Sequence, residues 1–277
     1  MTTPITLHLP SAIEEALTIH CKRSGDTFEH VIFRALSDFL DLEHHSLYQI
    51  STSGALVEGV FQGCMRVREI LKQGDFGLGT FHGLDGEGIM VDGACYQALS
   101  DGSVLPADPD YLTPFWVATH FKSDIEATFE SVEDWSDLGR QLDRLRPSDN
   151  LFAAIRINGT FARVHYRVAC KSEPGVDLVS ATQHQAEYAF EEIEGTLVGF
   201  FTPDFANTIS IPGYHLHFIS RDRAHGGHVL DLKASNLEVA IDYENQLKLV
   251  LPETPSFLGA DLSNDPRAAL EKAESKR

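Results

Sequence analysis

The stretch Ile211-Pro212-Gly213-Tyr214-His215-Leu216-His217-Phe218-Ile219 shows most directly how this chain folds. Its bulky apolar residues alternate with His215 and His217, which is the period of a β-strand and not of a helix. A strand therefore places both imidazoles on one face. A short distance further on, the run Gly226-Gly227-His228-Val229-Leu230-Asp231 begins with two glycines and then resumes strand-forming residues. We predict a hairpin that brings three histidines together.

Three histidines grouped in this way predict a metal centre. Two histidines at positions i and i+2 of a strand can bind one metal through neutral ring nitrogens. With His228 as the third ligand, one coordination position stays open, which is the arrangement of catalytic zinc sites and not of closed structural ones. Histidines on strands are more often ordinary core or surface residues, and spacing alone leaves that alternative open. His225 is expected to lie in the turn, pointing away from His228.

The rest of the chain from Leu47 onward is rich in predicted strands and poor in helices. The run from Gly86 to Gln97 predicts one hairpin, and Leu151–Ile157 with Thr160–Val168 predicts another across Asn158-Gly159, because Asn-Gly is a strong turn signal. Asp134–Leu145 is the clearest helix. Strands followed by strands favour an α+β fold with antiparallel or mixed sheets.

Residues 1–45 are expected to form a separate small unit. Ile5–Leu9 alternates as a strand does, and two runs at helical spacing follow on either side of Ser24-Gly25. This strand-helix-helix order resembles the ribbon-helix-helix family, whose members are dimers. The unit has three basic residues against seven acidic ones, so it lacks the cations that contact DNA phosphates. We interpret it as a dimerising unit, with a helical hairpin packed on the main domain as the alternative. His44-His45 is expected to lie in a solvated linker.

The composition of the 277 residues restricts the class of protein. The formal net charge is −19, which disfavours binding to nucleic acid and to anionic membranes. The sequence has no long apolar run and no signal-peptide pattern, so we expect a soluble cytoplasmic protein. The four cysteines are scattered, without a CxxC pair, which is typical of reduced thiols in the cytosol.

Nine stretches spread over most of the chain resemble the alpha-acetolactate decarboxylase family, in the order that the family has them. They are Leu47-Tyr48-Gln49, Ser51-Thr52-Ser53-Gly54-Ala55-Leu56, Gly74-Asp75-Phe76-Gly77-Leu78-Gly79-Thr80-Phe81, Leu84-Asp85-Gly86-Glu87, Asp101-Gly102-Ser103-Val104, Asn150-Leu151-Phe152, Glu194-Gly195-Thr196-Leu197-Val198-Gly199-Phe200, Pro212-Gly213-Tyr214-His215-Leu216-His217-Phe218 and Gly226-Gly227-His228-Val229-Leu230-Asp231. The resemblance implies a two-part, β-rich catalytic domain over residues 46–277. Residues 1–45 fall outside it.

The resemblance also implies the site residues. It implies zinc held by His215, His217 and His228. Glu87 corresponds to an acidic residue beside the metal, and Thr80 to a polar residue lining the pocket. For an arginine in the site, Arg167 fits best, and Arg156 and Arg163 fit less well. A second acid comes from the C-terminal tail, where Glu274 fits and Glu253 is the fallback.

The activity implied is the decarboxylation of 2-acetolactate to acetoin and CO2, a step of acetoin and butanediol formation. Loss of CO2 leaves an electron pair, which zinc stabilises as an enediolate by acting as a Lewis acid. An arginine holds the carboxylate, and an acidic residue protonates the enediolate. We expect a homodimer or larger homo-oligomer. The alternatives are a related metal-dependent decarboxylase or lyase of another 2-hydroxy-3-keto acid, and a ligand-sensing DNA-binding regulator built on a degenerate enzyme domain.

Overall fold

The structure, a computed structural model, describes residues 6–40 and 45–274, with only the backbone described for Ser37, Asp38, Leu40 and Glu274. The chain divides into two units, Met1–His44 and His45–Arg277. The helices are α1 (Ser11–Ser24), α2 (Phe28–Leu40), α3 (Ser53–Val57), α4 (Val67–Ile70), α5 (Trp135–Leu145), α6 (Leu178–Ala181), α7 (Pro255–Gly259) and α8 (Arg267–Glu274). The strands are β1 (Ser46–Ile50), β2 (Met65–Arg66), β3 (Phe76–Thr80), β4 (Glu87–Val91), β5 (Ala94–Ala98), β6 (Val104–Pro106), β7 (Leu112–Thr113), β8 (Phe115–Thr119), β9 (Ile125–Val132), β10 (Phe152–Val168), β11 (Ala186–Thr202), β12 (Gly213–Ser220), β13 (Gly226–Glu244) and β14 (Gln246–Val250).

The second unit is built from two main sheets, and the α+β prediction is confirmed. The first sheet has the strand order β14-β1-β8-β3-β4-β5-β6, and the second has the order β10-β11-β12-β13-β9. Because β10 also pairs with β13, the strands β10, β11, β12 and β13 close into a ring. The short strands β2 and β7 form a separate pair.

The alternation along β12 decides which residues face which core. Leu216 and Phe218 belong to an apolar cluster shared with the other ring strands and with α5, whereas Ile219 belongs to a second cluster. That second cluster includes Phe76 and Ile89 of the first sheet, so it lies where the two sheets pack together. Since side chains alternate along a strand, the histidines of β12 share the face of Ile219 and are directed towards the first sheet.

The prediction of a turn at Asn158-Gly159 is wrong. Both residues lie inside the single 17-residue strand β10, where Asn158 pairs with Thr196 and Gly159 with Gly195 of β11. The Thr196 hydroxyl donates to the side-chain oxygen of Asn158 at 2.9 Å. Pairing on both sides of β10 outweighs the local turn preference, and the ladder with β13 absorbs the irregularity as a register shift after Asn158.

Two other local predictions hold. The segment from Gly86 to Gln97 forms the antiparallel pair β4–β5, with Asp92 and Gly93 at positive φ in the turn between them. Helix α5 begins after Asp134, whose side chain accepts a hydrogen bond from the backbone N–H of Asp137.

In the first unit, α1 and α2 are present, and Gly25 ends α1 in the left-handed conformation. Residues 6–10 do not form the strand predicted for Ile5–Leu9, and Ile5 lies outside the described residues. A strand needs a neighbour for its backbone hydrogen bonds, and no described strand of this single chain pairs with this segment. Within the two described ranges, no helix is long and apolar enough to span a membrane.

The interpretation of His44-His45 as solvated linker is wrong for His45, and His44 lies outside the described residues. His45 is only 5% exposed. Its ring stacks on that of Tyr243 at 4.8 Å, and its Nδ1 lies 2.5 Å from the Tyr243 carbonyl oxygen. The backbone N–H groups of Asn245 and Gln246 donate to the His45 carbonyl, which fixes this residue against the β13–β14 connection.

Candidate metal centre and pocket

The predicted hairpin that brings His215, His217 and His228 together is present. Strands β12 and β13 are antiparallel, and His217 lies directly opposite His228. His215 and His217 occupy one face of β12, and the ring centroids of the three histidines are 4.9 to 5.6 Å apart. One ring nitrogen from each histidine lies within 4.8 Å of the other two. The chain thus directs three imidazole nitrogens towards one point.

Backbone and burial set the chemical state of these rings. The Nδ1 of His217 lies 3.0 Å from the Gly88 carbonyl oxygen of β4, which favours the tautomer with a proton on Nδ1 and a lone pair on Nε2. Burial and, to a smaller extent, the positive charge of Arg167 together lower the pKa of His215 to about 3. Burial, with the neighbouring His215, also holds the pKa of His217 well below its usual range. Neutral imidazoles are the form that binds metals.

The first sheet contributes Glu87 and Thr80 to the same pocket. They are paired across β3 and β4, because Thr80 and Glu87 are register partners. One carboxylate oxygen of Glu87 accepts a hydrogen bond from the Ala169 N–H at 3.0 Å, and the other lies 3.6 Å from Nε2 of His217. The Thr80 hydroxyl donates to the Gly86 carbonyl at 2.7 Å. Thr80 thereby ties the strand to the turn that presents Glu87.

Arg167 enters the pocket from β10, where it lies directly opposite His228 of β13. It is 5% exposed, and its guanidinium donates to the Gln185 side-chain oxygen at 3.2 Å and to the Ala273 carbonyl. Burial beside apolar groups strengthens the attraction between this cation and an anionic group in the pocket, because water competes weakly there.

The other two arginines are used elsewhere. Arg156 forms an ion pair with Asp92 at 2.7 Å, and Arg163 forms one with Asp231 at 2.8 Å. Neither lines the pocket that contains the three histidines. Of the three arginines weighed from the sequence, the structure brings only Arg167 to this pocket.

The C-terminal helix α8 packs against helices α3 and α6 and contacts Arg167 of the pocket. Leu270 and Ala273 are each 1% exposed and pack in the core between the sheets. The Ala273 carbonyl accepts a hydrogen bond from Arg167, so the tail reaches the site directly. The side chain of Glu274 lies outside the description, so its role stays a prediction. Glu253 is exposed and does not line the pocket.

Three contributors to the site were not predicted from the sequence. Gln185 lines the pocket and bonds Arg167, while its amide group donates to Glu187 at 3.0 Å. The Gly88 carbonyl and the Ala169 N–H act through the backbone. Only the side chain of Gln185 could have carried a sequence signal, and a lone glutamine in a turn carries none.

Apolar side chains close the remaining walls of the pocket. They come from a strand of the first sheet, from helices α3 and α6 and from two loops, and they are Phe115, Leu56, Leu178, Leu84 and Ile211. A small, mostly apolar pocket with a few convergent polar groups is the usual form of a small-molecule site.

Comparison with known proteins identifies the family of this chain. The alpha-acetolactate decarboxylase family profile matches residues 47–264. An alpha-acetolactate decarboxylase of Methylococcus capsulatus is 39% identical over 234 residues, covering 84% of this chain and 90% of the relative. One of Bacillus subtilis is 41% identical over 219 residues, covering 79% of this chain and 86% of the relative. The crystal structure of the Bacillus subtilis alpha-acetolactate decarboxylase superposes with a TM-score of 0.81 at 39% identity, covering 83% of this chain and all of that one. The chain belongs to the alpha-acetolactate decarboxylase family.

Proposed function

We propose that this chain decarboxylates 2-acetolactate to acetoin and CO2 at the pocket between the two sheets, with zinc held by His215, His217 and His228. The observation that supports this most is the convergence of three imidazoles beside one buried arginine and one carboxyl group. The family relationship supports the same reaction and substrate.

The donor set suits zinc. Three histidine nitrogens within 4.8 Å of one another offer three ligands and leave room for a substrate oxygen. The Gly88 carbonyl orients His217 as outer partners orient ligands in zinc enzymes. Zinc bound there would supply a Lewis acid that stabilises the negative charge left on the substrate oxygens when CO2 departs.

Arg167 would hold the substrate carboxylate before it leaves. A guanidinium can donate two parallel hydrogen bonds to a carboxylate, which fixes the direction of the bond that breaks. Gln185 and the Ala273 carbonyl hold Arg167 on the wall beside His228. The arginine therefore orients the substrate and does not have to move during the reaction.

Glu87 would deliver the proton that replaces CO2. Its carboxyl group is held by the Ala169 N–H and lies beside His217, on the first-sheet side of the pocket. Arg167 stands on a strand of the other sheet. An acid fixed on one wall protonates one face of the planar intermediate, so we propose that a single enantiomer of acetoin forms. Glu274 is proposed as a second acid, by family resemblance.

The first unit is proposed to dimerise through its helices. Helix α1 has no buried residue, and large apolar side chains of the pair are exposed, namely Ile13, Ile19, Phe28, Phe33 and Leu36. A unit of this size buries too little apolar surface to be stable alone, and a second copy would cover these side chains. Deleting residues 1–45 should halve the number of chains per particle, as derived from the mass measured by light scattering. An unchanged number of chains per particle would refute the proposal.

The cellular setting is proposed to be the cytoplasm. All four cysteines are free, which suits a reducing compartment.

The proposed reaction is tested by measuring metal content and acetoin formation on the same preparation, with racemic 2-acetolactate as substrate. The double variant His215→Ala, His217→Ala should lose both bound zinc and activity. The matched control is His225→Ala, because His225 is half-buried against Phe190 and stands outside the three-histidine group. Full activity in the double variant would refute the proposed centre.

A gel shift with DNA from the protein's own promoter tests the regulator alternative. A salt-sensitive shift without acetoin formation would favour that alternative over the enzyme.

A further inference from the structure

A second group of potential ligands lies far from the pocket. His45 precedes β1, Asp124 precedes β9, and Asp242 lies near the end of β13. One ligand atom from each lies within 4.8 Å of the other two. His228 and Asp242 are fourteen residues apart on the same strand, which corresponds to roughly 45 Å of strand path. The two groups are therefore separate sites.

We propose that His45, Asp124 and Asp242 bind a second divalent transition-metal ion, which fastens the two sheets together at the end remote from the pocket.

The distances suit a single ion between these side chains. Nδ1 of His45 lies 3.6 Å from Oδ2 of Asp124 and 3.6 Å from Oδ1 of Asp242. An ion about 2.1 Å from each of two atoms at this separation subtends an angle of about 118°, close to tetrahedral geometry. The Tyr243 carbonyl oxygen lies 2.5 Å from the same nitrogen, so an ion bound there would take the place of the proton that this nitrogen shares with the carbonyl.

Unsatisfied carboxylate oxygens indicate that a cation is needed here. Asp242 is 0% exposed, and while its Oδ2 accepts from the Lys122 N–H, its Oδ1 has no hydrogen-bond partner. That oxygen is the one directed at His45. Glu244, two residues further along β13, is also 0% exposed, and burial raises its pKa to about 8, so it adds little negative charge at neutral pH. Buried carboxylates without donors are strongly unfavourable unless a cation compensates them.

The protein's own cations do not supply this compensation. Over residues 6–40 and 45–274, no lysine or arginine side chain forms an ion pair with Asp124, Asp242 or Glu244. A proton on His45 adds a single positive charge against the two carboxylates of Asp124 and Asp242. A divalent ion adds two charges and gives the unpartnered oxygen of Asp242 a ligand bond.

The donor chemistry selects the class of ion. One imidazole nitrogen with two carboxylates is a mixed nitrogen and oxygen set, typical of Zn²⁺ and Mn²⁺ sites, whereas Mg²⁺ and Ca²⁺ prefer oxygen alone. His45 leads into β1 of the first sheet. Asp124 leads into β9 and Asp242 lies in β13, and both strands belong to the second sheet. An ion bound by these three side chains would therefore join the two sheets.

To test the proposal, metal is first removed from the full chain with a chelator. The protein is then dialysed against Zn²⁺ or Mn²⁺ separately, and the metal content per chain and the melting temperature are measured. The wild type should bind one equivalent of metal at this second site. We expect His45→Ala and Asp124→Asn each to lose that equivalent, because each variant should bind the ion at least about 100-fold more weakly. The metal-dependent rise in melting temperature should shrink in the same variants. His120→Ala is the matched control, because His120 is exposed.

Two comparisons keep the outcome decisive. The double variant His215→Ala, His217→Ala should keep the equivalent that His45→Ala loses, so a failure of the three-histidine centre stays distinguishable. If His45→Ala does not fold, Asp124→Asn decides, since Asn keeps the shape of a side chain that is 20% exposed. Equal metal content in Asp124→Asn and the wild type would overturn the proposal.

Discussion

Leu270→Ala should reduce catalysis more than it reduces overall stability, because Leu270 anchors the helix that reaches Arg167. Helix α8 has eight residues, fewer than an isolated helix needs to be stable in water. Its position therefore depends on packing, and Leu270 and Ala273 are its fully buried anchors, each 1% exposed. The Ala273 carbonyl, one turn further on, accepts a hydrogen bond from Arg167.

The size of the effect follows from the apolar surface lost. Truncating Leu270 to alanine removes three buried carbons, which weakens packing by about 2.4 kcal/mol at ~0.8 kcal/mol per carbon. At ~1.4 kcal/mol per factor of ten, the equilibrium constant for docking of α8 falls by about 50-fold. If catalysis needs the docked helix to hold Arg167, kcat/KM should fall by up to about 50-fold.

Steady-state acetoin formation from 2-acetolactate measures the effect, and limited proteolysis within α8 reports its release. The main unfolding transition should shift by less than about 2 °C, because the helix detaches before the sheets unfold. A defect felt by the whole fold would instead lower the melting temperature by about 5–10 °C. Leu258→Ala is the control, since Leu258 is 72% exposed. A large fall in melting temperature with unchanged kcat/KM would show that α8 supports the fold and not the site.

Three further changes test other parts of the site and its surroundings. Glu87→Gln should lower kcat by about 10²- to 10⁴-fold with zinc content unchanged, and an unaltered kcat would assign the proton to another group. Arg167→Lys should lower kcat/KM by about 10- to 100-fold through loss of the paired hydrogen bonds, whereas Arg156→Ala, which breaks an ion pair with Asp92, should leave the kinetics unchanged. Burial raises the pKa of the Cys95 thiol to about 12, so iodoacetamide should leave Cys95 unmodified in the native protein, as mass spectrometry would show.

The ligand hairpin could be predicted because its signals are local. The period of two in Tyr214–Phe218 fixes which side chains share a face, and Gly226-Gly227 marks the restart of the strand. The structure adds the register, in which His217 faces His228. Helix α5 was equally accessible, since Asp134 caps its first turn. In both cases the deciding interactions join residues close together in the chain.

Predictions failed where distant strands decide the outcome. Asn158-Gly159 has the local preference of a turn, but β11 and β13 flank it and keep β10 extended. His45 lies in a polar stretch of the sequence and becomes buried because the β13–β14 connection, some 200 positions away, packs on it. The preference for Arg167 over Arg163 had to rest on family resemblance. The reason is that the pairing of β10 with β13 decides which arginine lies opposite His228.

The pocket itself explains why so much of the site is non-local. Its histidines and Arg167 stand on the second sheet, whereas Glu87 and Thr80 stand on adjacent strands of the first. The two sets meet because the sheets pack face to face, and one link between them is a backbone group, the Gly88 carbonyl at His217. A Cβ at position 88 would lie 2.3 Å from the Trp116 ring, so a glycine there lets the strand approach that ring closely. The orientation of His217, a candidate metal ligand on one sheet, therefore depends on a small residue and a tryptophan of the other. The spacing of the histidines in the sequence does not indicate this dependence.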